Sequence, residues 1–178
     1  MFIWTALDIN EQLKQISPQI KQIENELGFK NSTLLLPFHV SLKISFNICN
    51  QYYEKVIKSI LECYKQLKPF EMQVDKIETE KGIVWIRFKQ NEILKAIHAN
   101  FDAIMQKQFD VKPHEYDLDF KFHTTLFIDG DKDKINTAYQ KIKNIDIPKN
   151  FKVTKFLIGE SLTGEIGSYK VSHTIKIS

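Results

Sequence analysis

Phe38-His39-Val40-Ser41-Leu42 and Phe122-His123-Thr124-Thr125-Leu126 are two copies of one phrase, Phe-His-x-(Ser/Thr)-Leu, and each lies in a stretch with the rhythm of a strand. Around the first copy, Phe38, Val40, Leu42, Ile44 and Phe46 alternate with His39, Ser41, Lys43 and Ser45. Around the second, Phe120, Phe122, Thr124, Leu126 and Ile128 alternate with Lys121, His123, Thr125, Phe127 and Asp129. Side chains two apart on a strand share a face, about 7 Å from one another. Each histidine is therefore expected to share a face with its own hydroxyl residue while the apolar set packs beneath. Two imidazoles with two hydroxyls suit a phosphate ester. One neutral ring takes a proton, one imidazolium gives one, and the hydroxyls hold non-bridging oxygens. The pattern points to a paired-histidine site, with His39 and His123 as acid and base and Ser41 and Thr125 as phosphate ligands.

Outward from these phrases, Phe2–Asp8 reads as a short buried strand and residues 10–27 as a helix, with Leu13, Ile16, Ile20, Ile23 and Leu27 on one side and Gly28 at its end. After the first histidine strand come a helix over about 52–67, stopped by Pro69, and two strands, 70–77 and Ile83–Phe88, joined by a polar turn at Gly82. The order then recurs. A helix over Glu92–Phe109 and a loop at Pro113 lead to the second histidine strand, followed by a helix over about 132–145 and a final strand pair, 151–159 and 169–177. The two histidines are 84 positions apart, too long a period with too few copies for a solenoid. The expected fold is α+β: a single domain over residues 1–178 made of two similar lobes, antiparallel sheets forming a central cleft and helices on the outer faces. No Gly/Ser linker separates the halves.

The composition sets limits. A hydrophobic content of 43% with 26% charged residues is that of a globular protein. A net charge of +3, from 25 Lys and Arg against 22 Asp and Glu, is too balanced for a broad nucleic-acid-coating surface, so any RNA contact should be local, with a terminus or a small nucleotide. The opening residues MFIWTALDINEQLK lack a basic region and meet Asp8 and Glu11 early, so no secretory leader is expected, and no apolar run is long enough to span a membrane. Cys49 and Cys63 have no CxxC spacing, which fits a reduced cytoplasmic protein. The expected form is a monomer.

The sequence resembles the two-histidine (2H) phosphoesterases, specifically the 2′-5′ RNA ligase-like proteins, which are marked by two His-x-(Thr/Ser)-x motifs on facing strands. Phe2-Ile3-Trp4-Thr5-Ala6-Leu7-Asp8 is similar to the family's opening strand, Leu36-Pro37-Phe38-His39 to its first motif, Gly82-Ile83-Val84-Trp85-Ile86 to its middle strand, and Glu160-Ser161-Leu162 with Gly167 and Tyr169 to its closing hairpin. Two departures stand out. Phe127 and Ile128 occupy a stretch where many relatives carry a basic residue, and Ser41 stands where threonine is commoner. Lys43, on the expected His39 face, is the candidate substitute for the missing cation. The resemblance implies a cofactor-free, metal-free phosphoesterase acting on 2′,3′-cyclic phosphates, 2′-5′ linkages or related small nucleotides. The alternative is a nucleotide- or RNA-end-binding module that uses the same cleft without turnover.

The remaining polar and aromatic residues divide as follows. Trp4, Trp85 and Tyr169 are the aromatic candidates for stacking on a base in the cleft. His98, His114 and His173 read as helix-boundary, loop and packed-strand residues. Asp117, Asp119 and Asp129 flank His123, but a strand keeps them too far apart to converge on one ion, and there is no HExxH, CxxC or EF-hand spacing.

Overall fold

Two antiparallel sheets divide the strands, and the division does not follow the halves of the chain. The computed structural model describes residues 1–65 and 67–177. In chain order the elements are β1 (Phe2–Asp8), α1 (Asn10–Leu13), α2 (Ser17–Leu27), β2 (His39–Ser41), β3 (Phe46–Asn47), α3 (Tyr53–Tyr64), β4 (Phe70–Glu80), β5 (Ile83–Phe88), α4 (Glu92–Phe109), β6 (His123–Ile128), α5 (Lys132–Ile142), β7 (Asn150–Val153), β8 (Lys155–Ser161) and β9 (Lys170–Lys176). One sheet runs β2-β1-β8-β9, with β3 also on β1; the other runs β6-β5-β4-β7.

The stretch 151–159, expected as one strand, is two. β7 pairs with β4 in the second sheet, and after Thr154 β8 enters the first sheet between β1 and β9. In β7 only Phe151 and Val153 are buried, the alternation of a strand with one solvated face. In β8 the run Phe156-Leu157-Ile158-Gly159 is buried throughout, as a central strand covered on both faces requires. Each sheet thus draws on distant parts of the chain, and the first closes the N-terminal strand against the C-terminal hairpin.

The helix expected over residues 10–27 is interrupted. Pro18 has no N–H to donate to the Lys14 carbonyl, so the chain passes through a 3₁₀ turn at Lys14–Ile16 and restarts as α2 with Pro18 in its first turn. Leu13, Ile16, Ile20 and Ile23 are buried all the same. The helix expected over 52–67 runs only over Tyr53–Tyr64, with Lys65 as its cap and Leu67 beyond it, while Gln66 lies outside the described residues. Between β4 and β5 the tight turn puts Lys81 at φ 48° and Gly82 at φ 82°. Two successive positive φ values match the right-handed twist of a hairpin. A Cβ on Gly82 would also lie 2.7 Å from the Asp129 carbonyl oxygen, so glycine is required there twice over.

Strand alternation sorts the faces. In β1, Ile3 and Leu7 belong to the main core, whereas Trp4 and Ala6 form a separate cluster with Leu157 on the opposite face. Helices cover the core face: Tyr64 of α3 packs on Phe156 of β8 and on Phe101 of α4. The registers place Ser41 opposite Ala6, and His39 opposite Asp8, on the helix-free face. In the second sheet His123 lies opposite Arg87 and Thr125 opposite Trp85. Leu126 forms a bulge between Thr125 and Phe127 in that register, so Leu126 and Phe127 are both fully buried. The expected alternation had set Phe127 on the histidine face. Among the described residues no helix is long and apolar enough to cross a membrane.

Candidate active site

The two histidines are held in the same way. His39 Nδ1 lies 2.8 Å from the Pro37 carbonyl oxygen and His123 Nδ1 lies 2.6 Å from the Lys121 carbonyl oxygen, the residue two before in each case. A carbonyl only accepts, so Nδ1 carries the proton in both rings and Nε2 is left for chemistry. Burial lowers the pKa of both histidines. For His39 the Pro37 carbonyl and the Asp8 carboxylate oppose the shift. For His123 the Lys121 carbonyl and the Glu80 carboxylate oppose it, while the charges of His39 and Arg87 push further down.

The segments that bear them are pinned from both sides. Ile9 N–H donates to the Phe38 carbonyl at 3.1 Å, and Phe38 N–H donates to Asn10 Oδ1 at 3.2 Å. Thr33 Oγ1 donates across to the Leu126 carbonyl of β6 at 2.8 Å, tying the approach to the first motif onto the strand of the second. Buried Glu24 accepts from Ser32 Oγ and Thr33 N–H. Between these segments opens a cavity of about 190 Å³ whose wall includes His39, Thr124 and Thr125, with exposed Leu35 and Ile166 at its rim. Ser41, His123 and Thr125 are each half-buried on their strands.

Four expected ligands are placed differently. Lys43 does not share the His39 face, because β2 ends at Ser41 and the chain bends at Leu42 and Lys43. Its side chain is 1% exposed and is ion-paired with Asp102 and, at 2.6 Å, with Asp117, so it is a structural cation and not a phosphate ligand. Trp4 and Trp85, expected as open stacking platforms for a base, are buried behind the histidines. Trp4 stacks on His39 with ring centroids 4.8 Å apart at 15°, and Trp85 lies 4.3 Å from His123 at 46°. Tyr169 is half-buried against the Trp4 cluster with its hydroxyl enclosed. The tryptophans thus pack against the imidazole rings and are almost wholly buried, which leaves no open face for a base. Of the other histidines, His98 sits between two backbone carbonyls, Nδ1 2.7 Å from the Leu42 oxygen and Nε2 3.2 Å from the Asp117 oxygen, and is structural.

Trp4 has room because residue 159 is glycine. A Cβ there would lie 2.8 Å from Trp4 Cε2, so Gly159→Ala is expected to displace the indole, cost about 1–3 kcal/mol through overpacking, and lower activity by loosening His39. Chemical denaturation and initial rates on the same sample check both effects; a stable variant with undiminished rate would show that the indole does not set the ring.

Sequence reading passed over one residue on this face, Arg87. Its signal was available in the composition, since it is the only arginine among the 25 Lys and Arg residues.

Two imidazoles, each hydrogen-bonded through Nδ1 to a backbone carbonyl and each backed by a tryptophan, are the candidate acid–base pair. The chain belongs to the 2′-5′ RNA ligase superfamily of 2H phosphoesterases, whose family model matches residues 13–165. No curated protein sequence matches. Solved structures agree in fold. TT0787 of Thermus thermophilus is similar at a TM-score of 0.64 and 12% identity, covering 99% of this chain and 98% of that one. LigT of E. coli in apo form is similar at 0.62 and 16%, covering 99% and 96%, and has also been solved with phosphate and with 3′-AMP. Usb1 of Kluyveromyces marxianus is similar at 0.57 and 11%, covering 99% and 97%.

Proposed function

We propose that this chain is one two-lobed domain that acts as a metal-independent phosphoesterase on the 2′,3′-cyclic phosphate or 2′-5′ phosphodiester of RNA ends or small nucleotides. The observation that carries the reading is the matched pair of Nδ1–H to carbonyl bonds, which present two Nε2 atoms for proton transfer. The phosphate and 3′-AMP bound by LigT support a small phosphate-bearing ligand. Among the described residues no three His, Cys, Asp or Glu side chains cluster as a metal site, and the EDTA arm below tests metal independence.

The strand neighbours of the two histidines support an assignment with His39 as acid and His123 as base. Asp8 lies opposite His39 and favours its imidazolium; Arg87 lies opposite His123 and favours its neutral form. On a 2′,3′-cyclic phosphate, His123 Nε2 takes the proton of an attacking water as the new P–O bond forms. The ring P–O bond breaks, and His39 gives its proton to the departing ribose oxygen. Ser41 and Thr125 donate to the non-bridging oxygens, where charge builds in the transition state. A panel of 2′,3′-cyclic nucleotides, cyclic-phosphate-ended RNA and 2′-5′ oligonucleotides, each with and without EDTA, tests this. Turnover untouched by EDTA is expected, and binding of the panel without turnover would favour the non-catalytic module.

The pH dependence has a definite sign. Both histidine pKa values lie below the ordinary 6.5 in the free protein. The acid His39 must be protonated, so kcat/KM is expected to peak below pH 6.5 and to fall about tenfold per pH unit above it. A bound phosphate anion raises the His39 pKa, so the kcat optimum should lie at higher pH than that of kcat/KM. A kcat/KM that rises between about pH 6.5 and 8.5 would contradict an imidazolium acid.

A further inference from the structure

Arg87 has more donors than its protein partners use. It lies across from His123 in the β5–β6 register, on the same face as Trp85, whose ring touches His123. Its side chain is 26% exposed, and Nη1 donates to Glu78 Oε1 at 3.0 Å. Nε is buried and has no partner among the described residues. Glu78 is itself shared: Lys76 Nζ is 2.7 Å from its carboxylate and Trp85 Nε1 donates to it at 3.2 Å. Two cations thus face one carboxylate, leaving net positive charge beside His123. The other cations near the motifs are committed, Lys43 to buried Asp102 and Asp117, and Lys121 to Glu80. A lysine would suffice to neutralise Glu78. A guanidinium with a partly used fork, held between water and an acid–base pair, has the geometry for a tetrahedral oxyanion taken up from solvent.

We propose that Arg87 binds the substrate's reacting phosphate, donating from its unused guanidinium N–H groups to a non-bridging oxygen while Glu78 and Trp85 hold the fork in place. This deepens the phosphoesterase reading and rests on it for the identity of the substrate, though not for the binding of the anion. It also supplies, from the neighbouring strand, the positive charge that Phe127 and Ile128 do not.

Calorimetric titration of the protein with inorganic phosphate and with a 3′-nucleoside monophosphate tests it without any need for turnover. Arg87→Met, which keeps the stem and removes the fork, is expected to weaken both by about ten- to a hundredfold, as loss of a charge-assisted hydrogen bond would. Glu78→Gln removes the competing carboxylate and is expected to tighten phosphate binding, an outcome that a purely structural Arg87–Glu78 pair would not produce. Unchanged phosphate affinity in folded Arg87→Met overturns the proposal; if that variant does not fold, unchanged or weaker binding in Glu78→Gln overturns it. A loss confined to oligonucleotides, with mononucleotides unaffected, would assign Arg87 to a neighbouring phosphate and overturn it equally. Arg87-dependent phosphate binding in a protein that turns over nothing would leave this proposal standing and remove the catalytic one. Turnover with Arg87-independent binding would do the reverse.

Discussion

Replacing either His39 or His123 by alanine is expected to cut turnover by about 10²–10⁴-fold, with the double replacement little worse than either alone. Acid and base act on the same reaction coordinate, so losing one leaves the other without its partner step, and the penalties do not add. The shared environment supports treating them as a unit: each ring donates from Nδ1 to a carbonyl two residues before it, and each is backed by a tryptophan. Single-turnover rates on a 2′,3′-cyclic nucleotide are the measurement. A single variant with wild-type rate would remove that histidine from the mechanism, and additive losses would mean that the two act in separate steps.

Lys43→Ala is expected to destabilise the fold by about 3–5 kcal/mol, because it removes the buried ammonium and strands the two carboxylates paired with it. Asp117 is almost wholly buried and also accepts from His114 N–H at 2.8 Å, so it cannot turn to solvent without releasing the loop before β6. Removing all three charges, as Lys43→Met with Asp102→Asn and Asp117→Asn, should recover part of the loss. Urea denaturation of the single and triple variants measures both. If Lys43→Ala kept full stability while KM rose, the side chain would be serving substrate after all, against the placement seen here.

The two motifs were legible because strand periodicity is local: His39 with Ser41, and His123 with Thr125, follow from side chains two apart sharing a face. The apolar faces, the Gly82 turn and the helix over Glu92–Phe109 were legible for the same kind of reason. What failed were inferences that carried a local rhythm past a point where the chain breaks it. Lys43 was placed on the histidine face by alternation continued two residues beyond the end of β2, and Phe127 by alternation continued through the Leu126 bulge. Pro18 was a local signal passed over in favour of the apolar period around it.

The sequence by itself determined that the chain carries two histidine–hydroxyl strands, each with an apolar underside, and that its helices and turns alternate with them, since these depend on residues within a few positions of one another. Only the tertiary structure decided that β7 and β8 part into different sheets at Thr154, that Trp4 and Trp85 stand behind the histidines, that Lys43 is sequestered between Asp102 and Asp117, and that Asp8 and Arg87 lie opposite the two imidazoles. Each of these is a relation between residues far apart in the chain or on neighbouring strands. Strand register and long-range pairing are set by which apolar faces can be buried together, a property of the whole core that no short window of sequence contains.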